Sequence, residues 1–399
     1  MTTSQNPPEP GVTIRDHLIR LDPTAAERPD AIRIVRSPAR VNLIGEHTDY
    51  NEGLVLPAAI DVEIRVAFVP TDDERVELTL VSTGERGFLD LHDVGARSGT
   101  WLDYIAGTAW ALAQAGVPVR GFRGVLESTI PPGAGLSSSA ALELAAAWAL
   151  SGGEAPALEP MTLALTAQRA ENEYVGVMCG LMDQFAVTLG QAGSALLLDC
   201  RSLGWHAVPI PPEIEIVVCH SGSPRRLEAS AYNARRAECD RAVVAIQQTE
   251  PGVTSLRDVD LPMLARHQGA IDEVAYARAL HVVTENARVI AAELALRAGD
   301  LRALGELFAA SHASLRDRFE VSSPALDALV DIAVGTPGVV AARLTGAGFG
   351  GCTVNLVERG RTEELRSAVE RDYGRRTGLT PRVFVVEAAD GAGLIPDPA

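Results

Sequence analysis

The sequence predicts an α+β protein of two domains, and three observations lead to that prediction. The chain has 399 residues, more than one ordinary hydrophobic core holds together. Short β-branched segments separated by turn residues fill residues 31–80 and are typical of antiparallel strands. Residues 228–335 have mainly helical patterns instead. We place the N-terminal domain at residues 12–205 and the C-terminal domain at residues 206–390.

The N-terminal elements follow in order from local patterns. The strand array is predicted by the runs IRIVRS, VNLIG, LVLPAAI, VEIRVAFV and RVELTLV. Residues 101–115 have helical spacing, and residues 122–128 predict a strand. A glycine- and serine-rich loop then leads into an alanine-rich helix. Residues 161–189 predict a further helix that breaks near residues 176–180, where glycines stand at both ends.

The C-terminal elements are predicted in the same way. Strands are predicted at residues 194–200 and 214–220, on either side of the domain division. Residues 274–298 have the sustained periodicity of a long helix. A helix is predicted near residues 362–373, among the strands VVAARLT, GGCTVNLV and PRVFVVEA.

Composition limits the classes of partner. The formal net charge is −17 and the chain contains no lysine, so we expect it to bind neither nucleic acid nor an anionic membrane. The five cysteines are odd in number and include no CxxC pair, which favours a reducing, cytoplasmic setting over a disulfide framework. None of the eight histidines has the spacing of a zinc site. We expect a cytoplasmic monomer with small-molecule substrates.

Residues 131–150, PPGAGLSSSAALELAAAWAL, are the most informative segment. Glycines let backbone approach a ligand closely, and the start of a helix offers unpaired N–H groups at its positive end. The segment therefore suits an anion such as a phosphate. The GxxxxGK[ST] motif is absent, so a phosphate here would depend on backbone amides, serine hydroxyls, arginine or a metal ion. An N-capped helix after a flexible glycine entry is the alternative, and the residues leave both interpretations open.

Two further segments gather polar side chains. Residues 40–51 place an arginine, two carboxylates, an imidazole and a phenol on one short turn, which suits a polyhydroxylated ligand. A solvated turn is the alternative. Residues 171–184 place acidic residues around two glycines. A break in the helix at these glycines could direct the Asp183 side chain into a cavity. The alternative there is a solvated helix face, with Asp183 capping the next helix.

A glycine-rich segment, residues 346–352, formally contains GxGxxG. A dinucleotide site requires a helix after these glycines, whereas the strand pattern CTVNLV follows them here. We therefore reject the dinucleotide interpretation. The pattern fits either a glycine turn between two strands that closes on a ligand or a tight hairpin without one.

Together these segments resemble the galactokinases of the GHMP small-molecule kinase family. ARVNLIGEHTDYNEGLVLP is similar to the galactokinase signature, PPGAGLSSSAALELA to the ATP loop of the family, and LTGAGFGGC to its third motif. Residues 230–239 are similar to the family pattern S-x-Y-x-x-R-R-x-x-C. The resemblance spans about residues 30–385. It implies a two-domain GHMP kinase fold, in which an N-terminal α+β domain and a ferredoxin-like C-terminal domain have the active site between them.

The resemblance also implies roles for single residues. Arg40 and Asp183 would be the catalytic pair, and Ser139 and Glu171 would coordinate Mg²⁺. The sugar hydroxyls would be held by Glu46, His47, Asp49, Gly180 and Tyr232. The ATP phosphates would be cradled by Gly133, Ala134, Gly135, Leu136, Ser137, Ser138 and Ser139. The segment from Gly346 to Gly351 would shape the sugar and phosphate side of the cleft.

The activity implied by the resemblance is transfer of the γ-phosphoryl group of ATP to the anomeric hydroxyl of α-D-galactose. Such a transfer mainly needs alignment and charge neutralisation. Two alternatives stay open. One is a GHMP 1-kinase for another sugar, such as arabinose or N-acetylgalactosamine, and the other is a galactose sensor without turnover. Sensor relatives tend to be damaged in the serine loop, whereas Ser139 and Ala140 are intact here.

Overall fold

The computed structural model describes residues 12–95, 97–223 and 228–395. In this part of the chain the strands form three sheets. The strands are β1 (Arg33–Asn42), β2 (Leu54–Val55), β3 (Pro57–Thr71), β4 (Arg75–Leu80), β5 (Arg86–Asp90), β6 (Gly121–Ser128), β7 (Ser194–Asp199), β8 (Trp205–Pro209), β9 (Ile214–His220), β10 (Val339–Thr345), β11 (Cys352–Glu358), β12 (Arg382–Val386) and β13 (Gly393–Leu394).

Helices cover the sheets and connect the strands. They are α1 (Ile14–Leu21), α2 (Pro23–Ala26), α3 (Leu102–Gln114), α4 (Ser138–Leu150), α5 (Pro160–Arg169), α6 (Met182–Leu189), α7 (Glu228–Gln247), α8 (Leu261–Arg266), α9 (Glu273–Ala298), α10 (Leu301–Asp317), α11 (Pro324–Val334) and α12 (Thr362–Thr377). A π-helical turn, Ala170–Val175, continues α5 and ends before the predicted break. None of the described helices is long and apolar enough to cross a membrane.

The large sheet has the strand order β13-β1-β3-β6-β4-β5. β1 pairs antiparallel with β3, and the register shifts between Pro38 and Ala39, next to Arg40. Bulges of this kind redirect the side chains around them. The antiparallel array predicted for residues 31–80 is confirmed for β1 and β3, whereas β4 pairs parallel with β6. The parallel pair arises because the chain crosses over through α3 before it returns as β6.

Helix α4 lies at the centre of the first half of the chain. Its residues are mostly alanine and leucine, and nearly all of them are buried. It packs against β1, β3, α3 and α6. Burial on all sides explains why its sequence has no polar face. The start of α4, which follows the serine loop, is therefore fixed by the core around it.

The second sheet has the strand order β10-β11-β9-β12, and its neighbours are antiparallel. Along β9, Ile216 and Val218 belong to the main hydrophobic core, whereas Val217 and Cys219 pack with residues of α11 and α12. Alternation with a period of two is the pattern of a strand that is buried on both faces. This sheet therefore joins the main core to a second layer of helices.

More than one segment connects the two halves of the chain. The small sheet β2-β7-β8 packs against α9, and β13 returns from the C-terminal region to pair with β1. The main core contains residues of both halves, such as Leu144 and Leu356. The domain division predicted after residue 205 falls at the first residue of β8, and that division stays a prediction.

Candidate active site

A cleft of about 430 Å³ lies between the start of α4, the loop after β1 and the glycine turn between β10 and β11. The cleft is lined by these residues that were predicted from the sequence: Arg40, Glu46, His47, Asp49, Gly133, Gly135, Ser137, Ser138, Ser139, Glu171, Gly180, Asp183, Tyr232 and Gly346. We call the lining residues the wall of the cleft. Ala134 and Leu136 of the serine loop are buried and lie outside that wall. The wall is completed by Tyr104, Val177, Cys179, Met182 and Ala347.

Arg40 and Asp183 form an ion pair in this wall. Arg40 Nε donates to Asp183 Oδ1 at 2.8 Å, and Arg40 Nη2 lies 2.7 Å from the same oxygen. Arg40 Nη1 donates to the carbonyl oxygen of Gly135 at 2.7 Å. The Arg40 side chain is only 5% exposed, whereas the Asp183 side chain is 25% exposed. Asp183 belongs to the first turn of α6 and does not cap it, so the alternative of a capping residue is wrong.

Asp49 lies against the backbone of Gly180. A Cβ atom on Gly180 would lie 1.9 Å from Asp49 Oδ2, so only glycine leaves room for this carboxylate. The backbone N–H groups of Tyr50 and Met182 lie near the Asp49 carboxylate and favour its charged form. Burial and the nearby charge of Asp183 nevertheless raise the pKa of Asp49 to about 6. Two interacting carboxylates therefore face one end of the cleft.

Glu46 is held by four donors. Its Oε2 atom accepts from Asn42 Nδ2 at 2.8 Å and from Arg343 Nη2. Its Oε1 atom accepts from the backbone N–H of Gly346 at 2.9 Å and from the Thr345 hydroxyl at 3.3 Å. Burial raises the pKa of Glu46, although the Arg343 guanidinium opposes that shift. The carboxylate therefore ties the loop after β1 to the glycine turn after β10.

The His47 ring is neutral, and each of its two nitrogen atoms makes a hydrogen bond. Its Nε2 atom lies 3.2 Å from the carbonyl oxygen of Ala347, and its Nδ1 atom lies 3.0 Å from the Tyr50 hydroxyl. A carbonyl oxygen only accepts, so Nε2 carries the proton and Nδ1 accepts from Tyr50. Burial and the nearby His281 lower the pKa of His47 to about 3. The ring also packs 4.6 Å, between centroids, from Phe319.

Tyr232 brings α7 into the cleft wall. Its ring centroid lies 5.6 Å from that of His47, and the backbone N–H of Gly180 lies near its hydroxyl. One turn later on α7, Arg236 Nη1 donates to the carbonyl oxygen of Met178 at 3.1 Å. Helix α7 is therefore fastened to the segment that carries Gly180.

The glycine turn of residues 346–352 fits both sequence interpretations. It connects the antiparallel neighbours β10 and β11, as a hairpin does, and it lines the cleft through Gly346 and Ala347. At Gly348 the φ angle is +83°, and a Cβ atom would lie 2.2 Å from the carbonyl oxygen of Val321. Only glycine permits that close approach.

The serine loop reaches α4 through left-handed backbone at Gly133, Gly135 and Ser137, with φ angles of 68°, 71° and 62°. Helix α4 begins at Ser138, and no side chain caps it. The Ser137 hydroxyl is buried and has no hydrogen-bond partner among the described protein atoms. The alternative of an N-capped helix is therefore wrong. The first N–H groups of α4 lack intrahelical partners, and Ser138 and Ser139 line the cleft, which suits an anionic ligand.

Ser139 and Glu171 lie together in the cleft wall. The Ser139 hydroxyl lies near the Glu171 carboxylate and favours its charged form. The same carboxylate accepts from Gln184 Nε2 at 2.6 Å and from the Cys179 thiol at 3.3 Å. Burial and the nearby Asp183 raise the pKa of Glu171. Glu171 lies in the π-helical turn, an irregularity that is frequent at functional sites. An adjacent hydroxyl and carboxylate are oxygen ligands of the kind that Mg²⁺ prefers.

The residues of α9 that hold the loop after β1 were not predicted from the sequence. On α9, His281 Nε2 lies 3.1 Å from the carbonyl oxygen of Glu46, and Glu285 Oε1 accepts from the backbone N–H of Gly45 at 3.1 Å. Burial opposes the ionisation of Glu285, but Arg288, His281, Arg343 and the hydrogen bond from Ser311 together lower the pKa of Glu285 to about 2. A signal was present in the sequence, because residues four positions apart share one face of a helix.

Comparison with known proteins identifies the family. The galactokinase galactose-binding signature matches residues 25–70, and the N-terminal and C-terminal GHMP kinase domains match residues 103–191 and 292–375. The galactokinase of Roseiflexus sp. (strain RS-1) is 47% identical over 366 residues, which cover 92% of this chain and 94% of that protein. The chain belongs to the galactokinase family. The galactokinase of Chloroflexus aggregans is 44% identical over 364 residues, which cover 91% of this chain and 93% of that one.

Solved structures agree with membership of the galactokinase family. Lactococcus lactis galactokinase complexed with galactose has a TM-score of 0.88 and 36% identity, covering 94% of this chain and 99% of that chain. Methanococcus jannaschii mevalonate kinase shares the fold, with a TM-score of 0.63 and 20% identity. The match covers 90% of this chain and 98% of that chain. The predicted GHMP kinase fold is therefore confirmed. The chain is a phosphotransferase with galactokinase function, and ATP is its co-substrate.

Proposed function

We propose that the cleft transfers the γ-phosphoryl group of ATP to the anomeric hydroxyl of α-D-galactose and so forms galactose 1-phosphate. The observation that carries this proposal is the set of contacts made by Arg40, which joins Asp183 to the serine loop at Gly135. A carboxylate thereby lies beside an anion-binding loop. Galactose as the acceptor is supported by the 36% identical Lactococcus lactis galactokinase, which was solved with that sugar.

Asp183 is the proposed proton acceptor for the anomeric hydroxyl. Its partly exposed carboxylate reaches the cleft, and the buried Arg40 guanidinium holds it in place and balances its charge. The same guanidinium can stabilise negative charge that develops on the attacking oxygen. A general base of this kind contributes roughly 10²–10⁴-fold to the rate.

The other sugar hydroxyls are proposed to bind next to Asp183, where Asp49, Gly180, His47 and Tyr232 meet. The Asp49 carboxylate is the strongest acceptor there. Glu46 lines the same end. Because its two oxygens already accept four protein hydrogen bonds, a sugar hydroxyl that reaches Glu46 shares an oxygen with these donors.

The ATP phosphates are proposed to bind along residues 133–139, against the uncapped start of α4. Ser139 and Glu171 would hold Mg²⁺, and their paired oxygens fit that ion. When bound, the ion supplies positive charge for the transferring phosphoryl group. The chain has no lysine, so its own contribution to neutralisation comes from backbone amides and from Arg40.

We further propose a cytoplasmic monomer that binds neither nucleic acid nor membranes. The net charge of −17 supports the absence of polyanionic partners. No disulfide bond joins Cys179, Cys200, Cys219 or Cys239, which supports a reducing compartment.

A coupled assay of ADP release tests the proposed reaction. It compares galactose with glucose, arabinose and N-acetylgalactosamine at equal concentrations, and ³¹P NMR identifies the phosphorylated position. We expect turnover mainly with galactose and phosphorylation at the anomeric oxygen. Faster turnover with arabinose or N-acetylgalactosamine would instead assign another sugar 1-kinase. Binding of galactose and ATP without ADP release would assign a sensor.

A further inference from the structure

Gln184 follows Asp183 on α6, yet it is fully buried and does not belong to the cleft wall. Its Nε2 atom donates to Glu171 Oε2 at 2.6 Å and to Glu143 Oε2 at 3.0 Å. Glu143 lies on α4, four residues after Ser139. One carboxamide therefore joins α4, the π-helical turn and α6, which carry Ser139, Glu171 and Asp183 respectively.

A carboxamide suits this position chemically. Its NH₂ group has two N–H donors, so it can satisfy two carboxylates at once without adding charge. The other oxygens of the cluster, Gln184 Oε1 and Glu143 Oε1, have no hydrogen-bond partner among the described protein atoms. The bonds from Nε2 to the two carboxylates, with a longer contact of 3.9 Å to Cys179 Sγ, thus set the orientation of the amide.

We propose that Gln184 is a positioning residue that holds the Glu171 carboxylate beside Ser139 for the metal ion, and that Glu143 anchors the Gln184 amide from its other side. This inference rests on the proposed function, in which Ser139 and Glu171 hold Mg²⁺. Partners behind a metal ligand orient that ligand, and they are part of what sets metal affinity. Among the described residues, Gln184 makes no side-chain hydrogen bond to Glu46, His47, Asp49, Gly180 or Tyr232, so we expect its loss to act on the metal and to leave sugar binding in place.

The test is Mn²⁺ binding to the full-length enzyme with ADP and galactose present, measured by electron paramagnetic resonance of free Mn²⁺. Gln184→Met keeps the length of the side chain and removes both donors. Gln168→Met is the matched control, since the half-buried Gln168 amide donates at 3.3 Å to the carbonyl oxygen of Cys179 and, in the described part of the chain, makes no side-chain hydrogen bond to Glu171. Calorimetry with galactose and circular dichroism accompany each variant.

We expect Gln184→Met to bind Mn²⁺ about 10–100-fold more weakly, with a galactose Kd that stays within about twofold. Gln168→Met is expected to bind Mn²⁺ normally. Unchanged Mn²⁺ affinity in folded Gln184→Met overturns the inference, and so does an equal loss of Mn²⁺ and galactose affinity. If Gln184→Met does not fold, Mn²⁺ and galactose binding are measured with Gln184→Asn and judged by the same criteria. Asparagine keeps the amide, but its side chain is too short to reach Glu171.

Glu171→Gln separates this inference from the proposed function. Weaker Mn²⁺ binding in Glu171→Gln, together with normal binding in the Gln184 variants, refutes the positioning role alone. Normal Mn²⁺ binding in Glu171→Gln refutes the metal site itself, and the inference falls with it. The sugar reaction at Asp183 is judged independently by the ADP assay.

Discussion

Arg40 and Asp183 are 143 positions apart in the sequence, and they are joined by a hydrogen bond of 2.8 Å from Arg40 Nε. The same guanidinium donates to the carbonyl oxygen of Gly135 at 2.7 Å. One buried side chain therefore fixes the proposed base relative to the loop proposed to bind phosphate. Phosphoryl transfer depends mainly on such alignment and on charge neutralisation, since it asks little covalent chemistry of the protein.

The first prediction concerns Asp183→Asn, which keeps the size of the side chain and removes the proton acceptor. We expect kcat to fall by about 10²–10⁴-fold, while galactose binding measured by calorimetry persists. Asp199→Asn is the matched control, because Asp199 is similarly exposed and pairs with Arg257 at 2.9 Å, outside the cleft. A kcat near that of the unsubstituted enzyme in Asp183→Asn would refute the proposed role.

The second prediction is a pH dependence from Asp49. Burial and the nearby Asp183 raise the pKa of Asp49 to about 6, so its carboxylate becomes protonated as the pH falls through that value. Protonation removes acceptor capacity for sugar hydroxyls. We expect kcat/KM for galactose to decline below about pH 6, with the KM for ATP unchanged. In Asp49→Asn this inflection disappears and the galactose KM is higher at every pH. An inflection that survives in the variant belongs to another group.

The third prediction concerns Gly180→Ala. The new Cβ atom would lie 1.9 Å from Asp49 Oδ2, so the carboxylate must move away. Displacements of this size at a binding site are costly, and we expect the galactose KM to rise about tenfold or more while the ATP KM stays constant. Gly252→Ala is the control, because a Cβ atom there meets nothing within 4 Å. Parallel increases in both KM values would contradict the placement of Asp49 at the sugar end.

The cleft could be predicted from the sequence because its loops carry the motifs on which the resemblance to the galactokinases rests. The serine loop and the turn of residues 40–51 each combine glycine with clustered polar groups, and the structure brings both into one wall. Whether α4 is capped could not be read from the residues, because a serine can cap a helix or adopt the left-handed backbone seen at Ser137. That choice is made by tertiary contacts.

Long-range partners were the part that could not be predicted. Arg343 lies 297 positions from Glu46, and Glu285 lies 240 positions from Gly45. Periodicity indicates only that such a residue faces inward, and its partner depends on how α9 and β10 dock against the loop after β1. The parallel pairing of β4 with β6 has the same origin, because it follows from the crossover and not from the strands themselves.

The fourth prediction concerns the buried pair of Glu46 and Arg343, whose side chains are 1% and 0% exposed. Arg343→Met removes one partner and leaves a carboxylate in the core without its counter-charge. We expect the free energy of unfolding to fall by about 3–5 kcal/mol, measured by urea denaturation at neutral pH. The double variant Glu46→Gln/Arg343→Met should recover part of that loss, because no uncompensated charge remains.

The exposed pair of Arg302 and Glu306 provides the control for this fourth prediction, with side chains 86% and 66% exposed. Water screens that pair, so Arg302→Met is expected to cost at most about 1 kcal/mol. If Arg343→Met costs no more than Arg302→Met, the Glu46 carboxylate does not depend on Arg343, and the tie between the loop after β1 and β10 is weaker than its geometry indicates. If the double variant is less stable than Arg343→Met alone, the loss comes from packing and not from unpaired charge.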